Sequence, residues 1–202
     1  MRPVKSAAVA CAAFAVLVGC SSGEKGNPTP DPSAVGASES GATETAAPSP
    51  QRPKEIKLEG VDPCSLVSKE QREQWGAPRV ENRPTEVVKG AGASPSCSFV
   101  TGAGVQPSFS YNLSLITGKG VEYWTSTGNL DVAEKEVGGY PAKQVNFKGT
   151  SKTDCFVAVD VADGQQLYVQ FLPISRIFSQ DQMCQNAAKG AETALATLQT
   201  LK

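Results

Sequence analysis

The chain is predicted to be an α+β domain: an antiparallel β-sheet packed against a short N-terminal helix and a C-terminal amphipathic helix, with two disulfides. Three observations carry this. Segments of alternating apolar and polar residues succeed one another through the middle of the chain, helix-type spacing is confined to the two ends, and four cysteines are spread over the same region. Strands bracketed by helices, and not alternating with them, belong to α+β folds with antiparallel sheets.

Taken in order, Ser68-x-x-Gln71 has capping-box form, and Gly76 followed by Pro78 ends what it opens. A helix is therefore expected over about Ser65 to Trp75, beginning beside Cys64. Val80–Val88 and Ser98–Val100 are expected strands. Phe109-Ser-Tyr111-Asn-Leu113-Ser-Leu115 alternates strictly, as a half-buried strand does. Tyr123-Trp124 falls in the long middle connection, as a short helical turn or as a loop packed on the sheet. Ala142–Phe147 is a further strand.

Cys155-Phe-Val157-Ala-Val159-Asp-Val161 alternates too, and Asp163-Gly164 separates it from Leu167-Tyr-Val169-Gln-Phe171. A two-residue Asp-Gly turn would set Val159 opposite Tyr168 and mix the faces. A three-residue loop, Ala162-Asp163-Gly164 with Gly164 left-handed, pairs Val159 with Leu167, Val157 with Val169 and Cys155 with Phe171. A one-residue slip turns every side chain over, so burial selects the second register. The last helix opens with Ser179-x-x-Gln182. From Met183, the positions Ala187, Ala191, Ala194, Leu195, Leu198 and Leu201 recur at spacings of three and four, which makes one buried stripe. Cys184 shares that face and points inward.

The N-terminus reads as an address. Arg2 and Lys5 precede an uncharged run from Ala7 to Val18 that ends in Gly19-Cys20, the parts of a secretory signal. The run is shorter than the roughly 20 residues that span a membrane. Leu17-Val18-Gly19-Cys20 resembles the lipobox of bacterial lipoproteins, in which the cysteine is acylated and becomes the first residue. Residues 1–19 are thus expected to be a lipoprotein signal peptide and Cys20 the lipidation site. The implied product is anchored by N-terminal acyl chains on the outer, extracytoplasmic face of the cell membrane. Residues 20–55 are expected to be the lipidated cysteine and a disordered tether: in Ser21–Glu55, 24 of 35 positions are Pro, Ser, Ala, Gly or Thr, with no Leu, Ile, Phe, Tyr or Trp to bury. As a coil it would span roughly 30–35 Å. Residues 56–202 form the single globular domain, long enough to fold alone.

Composition excludes several function classes. The 19 basic and 20 acidic side chains nearly balance, so no phosphate-tracking surface and no nucleic-acid partner are expected. The chain contains no histidine, which removes Ser-His-Asp and Cys-His catalysis, His-ligated zinc and an imidazole base. Cys64, Cys97, Cys155 and Cys184 are even in number and widely spaced without a C-x-x-C, which reads as two disulfides and as neither a redox motif nor a zinc site. Three pairings are open; the sequential one closes two loops of about 30 residues, worth roughly 3–4 kcal/mol each in unfolded-state entropy.

A family resemblance joins these pieces. After the lipobox and tether come Asp62-Pro63-Cys64-Ser65-Leu66-Val67, Cys97-Ser98-Phe99, Val137-Gly138-Gly139-Tyr140-Pro141-Ala142, Cys155-Phe156-Val157-Ala158-Val159, Asp163-Gly164 and Cys184-Gln185-Asn186-Ala187-Ala188. In this order, over about residues 61 to 201, they resemble the actinobacterial lipoproteins grouped as domain of unknown function 3558. The resemblance implies an exported, lipid-anchored domain with Cys64–Cys97 and Cys155–Cys184 bridges. It brings no catalytic residues. Asp181-Gln182-Met183-Cys184 departs from an expected Asp-Pro-Cys, which alters the helix start and not the cysteine.

No catalytic, metal or cofactor set is evident. Asp154, Asp160 and Asp163 read as a solvated edge and not a cation site, since calcium wants six to eight oxygens. Gly149-Thr-Ser-Lys152 lacks the glycine a P-loop needs before its lysine. Ser68-Lys69 and Ser151-Lys152 are adjacent pairs that point apart, and Trp75 and Trp124 read as core anchors. The sequon Asn112-Leu-Ser114 is not expected to be used. The chain is therefore expected to be a non-catalytic ligand-binding or sensing module of the cell envelope. The alternative is a protein-interaction subunit accessory to a sensor, transporter or wall enzyme. An apolar cleft open on one side of the sheet would mark the first, and a large exposed apolar patch with a polar rim the second.

Overall fold

A computed structural model describes residues 51–149 and 153–201. Cys20, the signal segment and the tether to residue 50 lie outside the described residues, as do Ser151 and Lys152. The described elements are a 3₁₀ turn (Pro63–Leu66), α1 (Lys69–Gln74), β1 (Arg79–Asn82), β2 (Ser96–Val100), β3 (Phe109–Ile116), a second 3₁₀ turn (Val121–Tyr123), β4 (Leu130–Val137), β5 (Tyr140–Phe147), β6 (Cys155–Ala162), β7 (Gln165–Pro173) and α2 (Gln180–Leu198). The seven strands form one sheet in the order β1-β2-β3-β7-β6-β5-β4. Every neighbouring pair is antiparallel. With its two disulfides and terminal helices this is the α+β fold expected.

The β6–β7 register is the one that burial selects: Cys155 opposes Phe171, Val157 opposes Val169 and Val159 opposes Leu167. The extra residue is absorbed differently. Ala162 pairs with Gln165, so the loop shrinks to Asp163-Gly164 and the strand bulges between Asp160 and Ala162. Gly164 has φ +68, the left-handed conformation such a turn demands.

The alternation expected of β3, β6 and β7 divides the sheet into two faces. Cys97, Phe99, Tyr111, Leu113, Leu115, Val157, Val159, Leu167, Val169 and Phe171 point to the inner face, where Met183, Ala187, Ala191, Ala194, Leu195 and Leu198 of α2 cover them. Leu66, Val67 and Trp75 from the N-terminal elements complete this core, with the Trp75 ring 4.4 Å from that of Tyr111. A smaller apolar cluster lies on the outer face, where Val145, Phe156, Ala158 and Tyr168 meet Val88, Ile116 and Trp124. Trp124 arrives there because the connection from β3 to β4 crosses the outer face. Gln166 donates from Nε2 to the carbonyls of Lys119 and Gly120 (2.8 and 2.9 Å), and Lys143 Nζ donates to the Trp124 carbonyl (3.0 Å). Both readings of Tyr123-Trp124 are thus realised, a turn followed by an anchor on the sheet.

Four local expectations differ from the structure. The N-terminal helix does not start at Ser65: Pro63–Leu66 is a separate 3₁₀ turn, Val67 is extended, and Ser68 caps α1 with both bonds of the capping box. The strand expected over Val80–Val88 stops at Asn82, and past Pro84 the pairing resumes only as a single bridge between Thr85 and Ser94. Leu201 is not on the buried stripe, since α2 ends at Leu198 and Leu201 is exposed. Finally β4 is an edge strand with no expectation behind it. Its Asp131, Glu134, Lys135 and Glu136 mask the alternation, as charges on edge strands do. The β4–β5 turn is Gly138-Gly139, both with positive φ, the backbone a two-residue hairpin of type I′ needs.

The disulfides join Cys64 to Cys97 and Cys155 to Cys184, with Cα separations of 5.1 and 5.0 Å, within the usual range. The second ties the first turn of α2 to β6. Farther along, α2 approaches the sheet through Gly190, where an added Cβ would lie 2.9 Å from Val169 Cγ1 and 3.1 Å from Tyr111 Cδ1.

Two predictions follow from this packing. Gly190→Ala gains about 1 kcal/mol of helix propensity but overpacks the helix–sheet contact, which typically costs about 1–3 kcal/mol; a net loss in chemical denaturation is expected, and a gain would show that α2 can lift freely. Replacing Cys155 and Cys184 together by Ala should lower unfolding free energy by about 2–4 kcal/mol, with the midpoint read in urea under non-reducing conditions.

Candidate functional site

The outer face is where the sheet remains open. Residues Ser96 and Ser98 of β2, Asn112 and Ser114 of β3, and Tyr168 and Gln170 of β7 form the floor of a trough of about 320 Å³, with Arg83, Thr85 and Val87 along one wall. The floor is a direct product of alternation. Each of these residues is the out-facing neighbour of a core residue, and the registers set Ser96 opposite Ser114, Ser98 opposite Asn112, and Asn112 opposite Gln170.

The side chains are linked across three strands and on to the residue that precedes β6. Ser98 Oγ donates to Asn112 Oδ1 (2.7 Å), Asn112 Nδ2 donates to Gln170 Oε1 (3.2 Å), and Gln170 Nε2 donates to Asp154 Oδ2 at the foot of β6. A second pair, Ser96 and Ser114, shares a hydrogen bond of 2.7 Å. The relay runs one way, from hydroxyl through two amides to a carboxylate. Each amide nitrogen in it carries a second N–H beyond the one spent on its neighbour, so the floor presents donors to the space above.

Asp154 terminates the relay in a buried position, 7% exposed. Burial raises its pKa above the ordinary 3.8, against the opposing pull of hydrogen bonds from Gln170 and Thr153. Tyr168 is also buried, and burial together with the Asp154 charge drives its pKa up, so its phenol stays protonated. Tyr111, on the inner face, is pushed up to about 12 by burial alone.

The three aspartates grouped in the sequence do separate jobs. Asp154 closes the relay, whereas Asp160 and Asp163 grip the Arg52 guanidinium, the Asp160 contact being 2.7 Å. Among the described residues no group of three His, Cys, Asp or Glu is placed to hold a metal ion. The Ser68 hydroxyl accepts from the Gln71 N–H and donates to Glu70. Trp75 and Trp124 are core anchors, and the Trp124 indole N–H donates to Gln166 Oε1 at 2.7 Å. Asn112 and Ser114 lie on the trough floor. The opening on the outer face is therefore polar, where an apolar cleft was the expected mark of a binding module.

A second concavity, also about 320 Å³, lies between α2 and the β4–β6 end of the inner face, lined by Lys135, Gln144, Asp181, Gln185 and Glu192 among others. Its charged groups belong to solvated surfaces and form no network.

The sequence reading missed Ser96, Ser98, Ser114 and Gln170, and passed over Asn112 as an idle sequon. A signal was present. The out-facing positions of β2, β3 and β7 are mostly Ser, Asn, Gln and Tyr, with Val100, Ile116 and Leu172 at strand ends, and without the Lys, Glu and Arg that a plain solvated face carries.

Because burial raises the Asp154 pKa, the folded state holds that proton more tightly than the unfolded chain. Its favourable contribution is complete below pH 3.8 and is lost as pH rises through the raised value. Asp154→Asn keeps an acceptor for Gln170 without the buried charge. Its melting temperature should exceed the parent's at pH 7 and fall back toward it in acid, as scanning calorimetry across pH would read.

The family model described as Protein of unknown function (DUF3558) matches residues 15–197 of this chain. No curated protein and no solved structure matches it.

Proposed function

The chain belongs to the DUF3558 family, and from that premise we propose that it is a lipid-anchored lipoprotein of the cell envelope whose outer-face trough binds a ligand without catalysis. Residues 1–19 serve as the signal peptide, and Cys20 carries the acyl chains that hold the protein on the extracytoplasmic face of the membrane. Residues 21–55 act as its tether. The reading of the trough rests on one observation: the open space of about 320 Å³ over a hydrogen-bonded floor of Ser98, Asn112 and Gln170. That volume is in the range of small-molecule sites. Since the floor offers spare amide N–H groups and the Arg83 guanidinium stands on one wall, the ligand it suits bears carbonyl or hydroxyl acceptors, as a glycan or a peptide does.

No residue set in the trough favours catalysis. Asp154, the carboxylate that ends the relay, is not among the residues lining the trough and has its oxygens engaged by Gln170 and Thr153, and a catalytic base must be free to reach a proton.

The test is native mass spectrometry of the mature protein after incubation with envelope extract. A discrete added mass is expected, and it should weaken several-fold in Asn112→Ala, since one lost hydrogen bond is worth about 0.5–1.5 kcal/mol. A clean apo mass would overturn the ligand-binding reading in favour of a protein-interaction subunit. Anchoring is tested apart from it: Cys20→Ser should lose the acyl mass and leave the membrane fraction.

A further inference from the structure

The end of the sheet where β7 finishes carries exposed apolar side chains on two loops. Ile174 and Ile177 follow β7 and are 59% and 70% exposed, and Val105 on the β2–β3 loop is 50% exposed. These are not loose ends. Ser175 Oγ donates to Gln106 Oε1 (2.6 Å) and accepts from the Ser108 N–H (2.9 Å), while the Ile174 N–H donates to the Ser108 carbonyl (2.8 Å). Phe178 packs edge-on to Phe109 and Phe171, their rings 5.7 and 5.1 Å away, and seats the second loop in the core. The structure holds three large apolar groups in water on a braced scaffold.

The charge on these two loops has one sign. Arg176 is the only charged residue in 101–108 and 172–180, it is exposed, and it makes no ion pair among the described residues. Acidic groups gather at the opposite end of β7, where Asp160 and Asp163 hold Arg52 and Glu59 meets Gln165. An apolar tip whose two loops carry a cation and no carboxylate, with Asp154 buried in the relay and Asp181 turned to the concavity beside α2, suits an anionic lipid surface, where side chains enter the headgroup boundary and the guanidinium meets phosphate.

We propose that the Val105–Ile174–Ile177 tip, with Arg176, inserts into the anionic membrane as a second point of attachment. This rests on the lipid-anchored reading above. The chain permits it. β7 has nine residues and so separates the tip from Arg52 by about 30 Å, whereas the 31 residues between Cys20 and Arg52 reach about 100 Å when extended. The domain can therefore stand on its tip with the tether returning beside it, and the outer-face trough is then held at a set height and orientation.

The experiment uses the acylated protein reconstituted in phosphatidylcholine/phosphatidylglycerol vesicles with brominated acyl chains. Ile177→Trp should be quenched about twofold or more relative to Ala196→Trp on the exposed face of α2, as residence at the headgroup boundary requires, and Arg176→Glu should abolish the difference. Both tryptophan sites are exposed, so the parent's melting temperature should be kept. Flotation of the protein with no preferential quenching at Ile177 overturns the tip and leaves the anchor intact. A protein without acyl mass overturns the anchor, and binding of the non-acylated chain to the same vesicles then decides the tip. Equal quenching with neutral vesicles, or crosslinking from residue 177 to a single envelope protein instead of lipid, overturns it as well.

Discussion

The seating of α2 on the inner face is the contact on which the rest of the structure depends. A single helix covers β6 and β7 because its facing residues are small: Ala187, Gly190, Ala191 and Ala194 let the backbone come close, and Cys184 fastens its first turn to β6. Burial of the Leu, Val and Phe side chains beneath it supplies the main driving force, roughly 25 cal/mol per Å² of apolar surface removed from water. With one face of each strand committed to this dry layer, every alternate residue must go to the other face. The polar relay of Ser98, Asn112, Gln170 and Asp154 is the remainder of that division.

The outer face has too few helices to cover it and too many half-buried polar groups to be left unpaired. Two solutions divide it. Toward β4–β6, the crossing connection lays Trp124 over Phe156 and Tyr168, with Gln166 capping its carbonyls and its indole. Toward β2–β3 the side chains satisfy one another across strands, which leaves a hydrogen-bonded floor open above. A satisfied network of this kind is rigid and specific, and such a floor offers a ligand donors whose positions are already set.

Much of this was legible in the residues, and the exceptions have physical causes. The β6–β7 register followed from burial alone, because only one alignment puts Val157, Val159, Val169 and Leu167 together. Both capping boxes were visible as four-residue patterns, since the bonds they make are local. The β4 strand was hidden, because an edge strand trades its alternation for charge and is defined by its Gly138-Gly139 turn and its partner β5. The relay was hidden for a deeper reason. Its members lie 14 and 58 residues apart in the chain, and pairing over such distances is set by sheet order, which no local pattern encodes. Where an apolar cleft was the anticipated sign of binding, the sheet over β2 and β3 presents amides and hydroxyls, because the apolar alternates there (Cys97, Phe99, Tyr111 and Leu113) face the inner core.

The sheet order has a kinetic side. Cys64–Cys97 closes within the first half of the domain and Cys155–Cys184 within the second, so neither crosslink spans the two. What joins them is the β3–β7 ladder, in which Asn112 meets Gln170, together with the helix laid across it. The contact order of the fold is therefore concentrated in its central seam. Such non-local pairing is slow to form because the chain between must first be closed. Until β7 and α2 have emerged, β3 is an unpaired edge with Tyr111, Leu113 and Leu115 uncovered, an intermediate open to mispairing with another copy. The last quarter of the chain thus decides when the first half is safe.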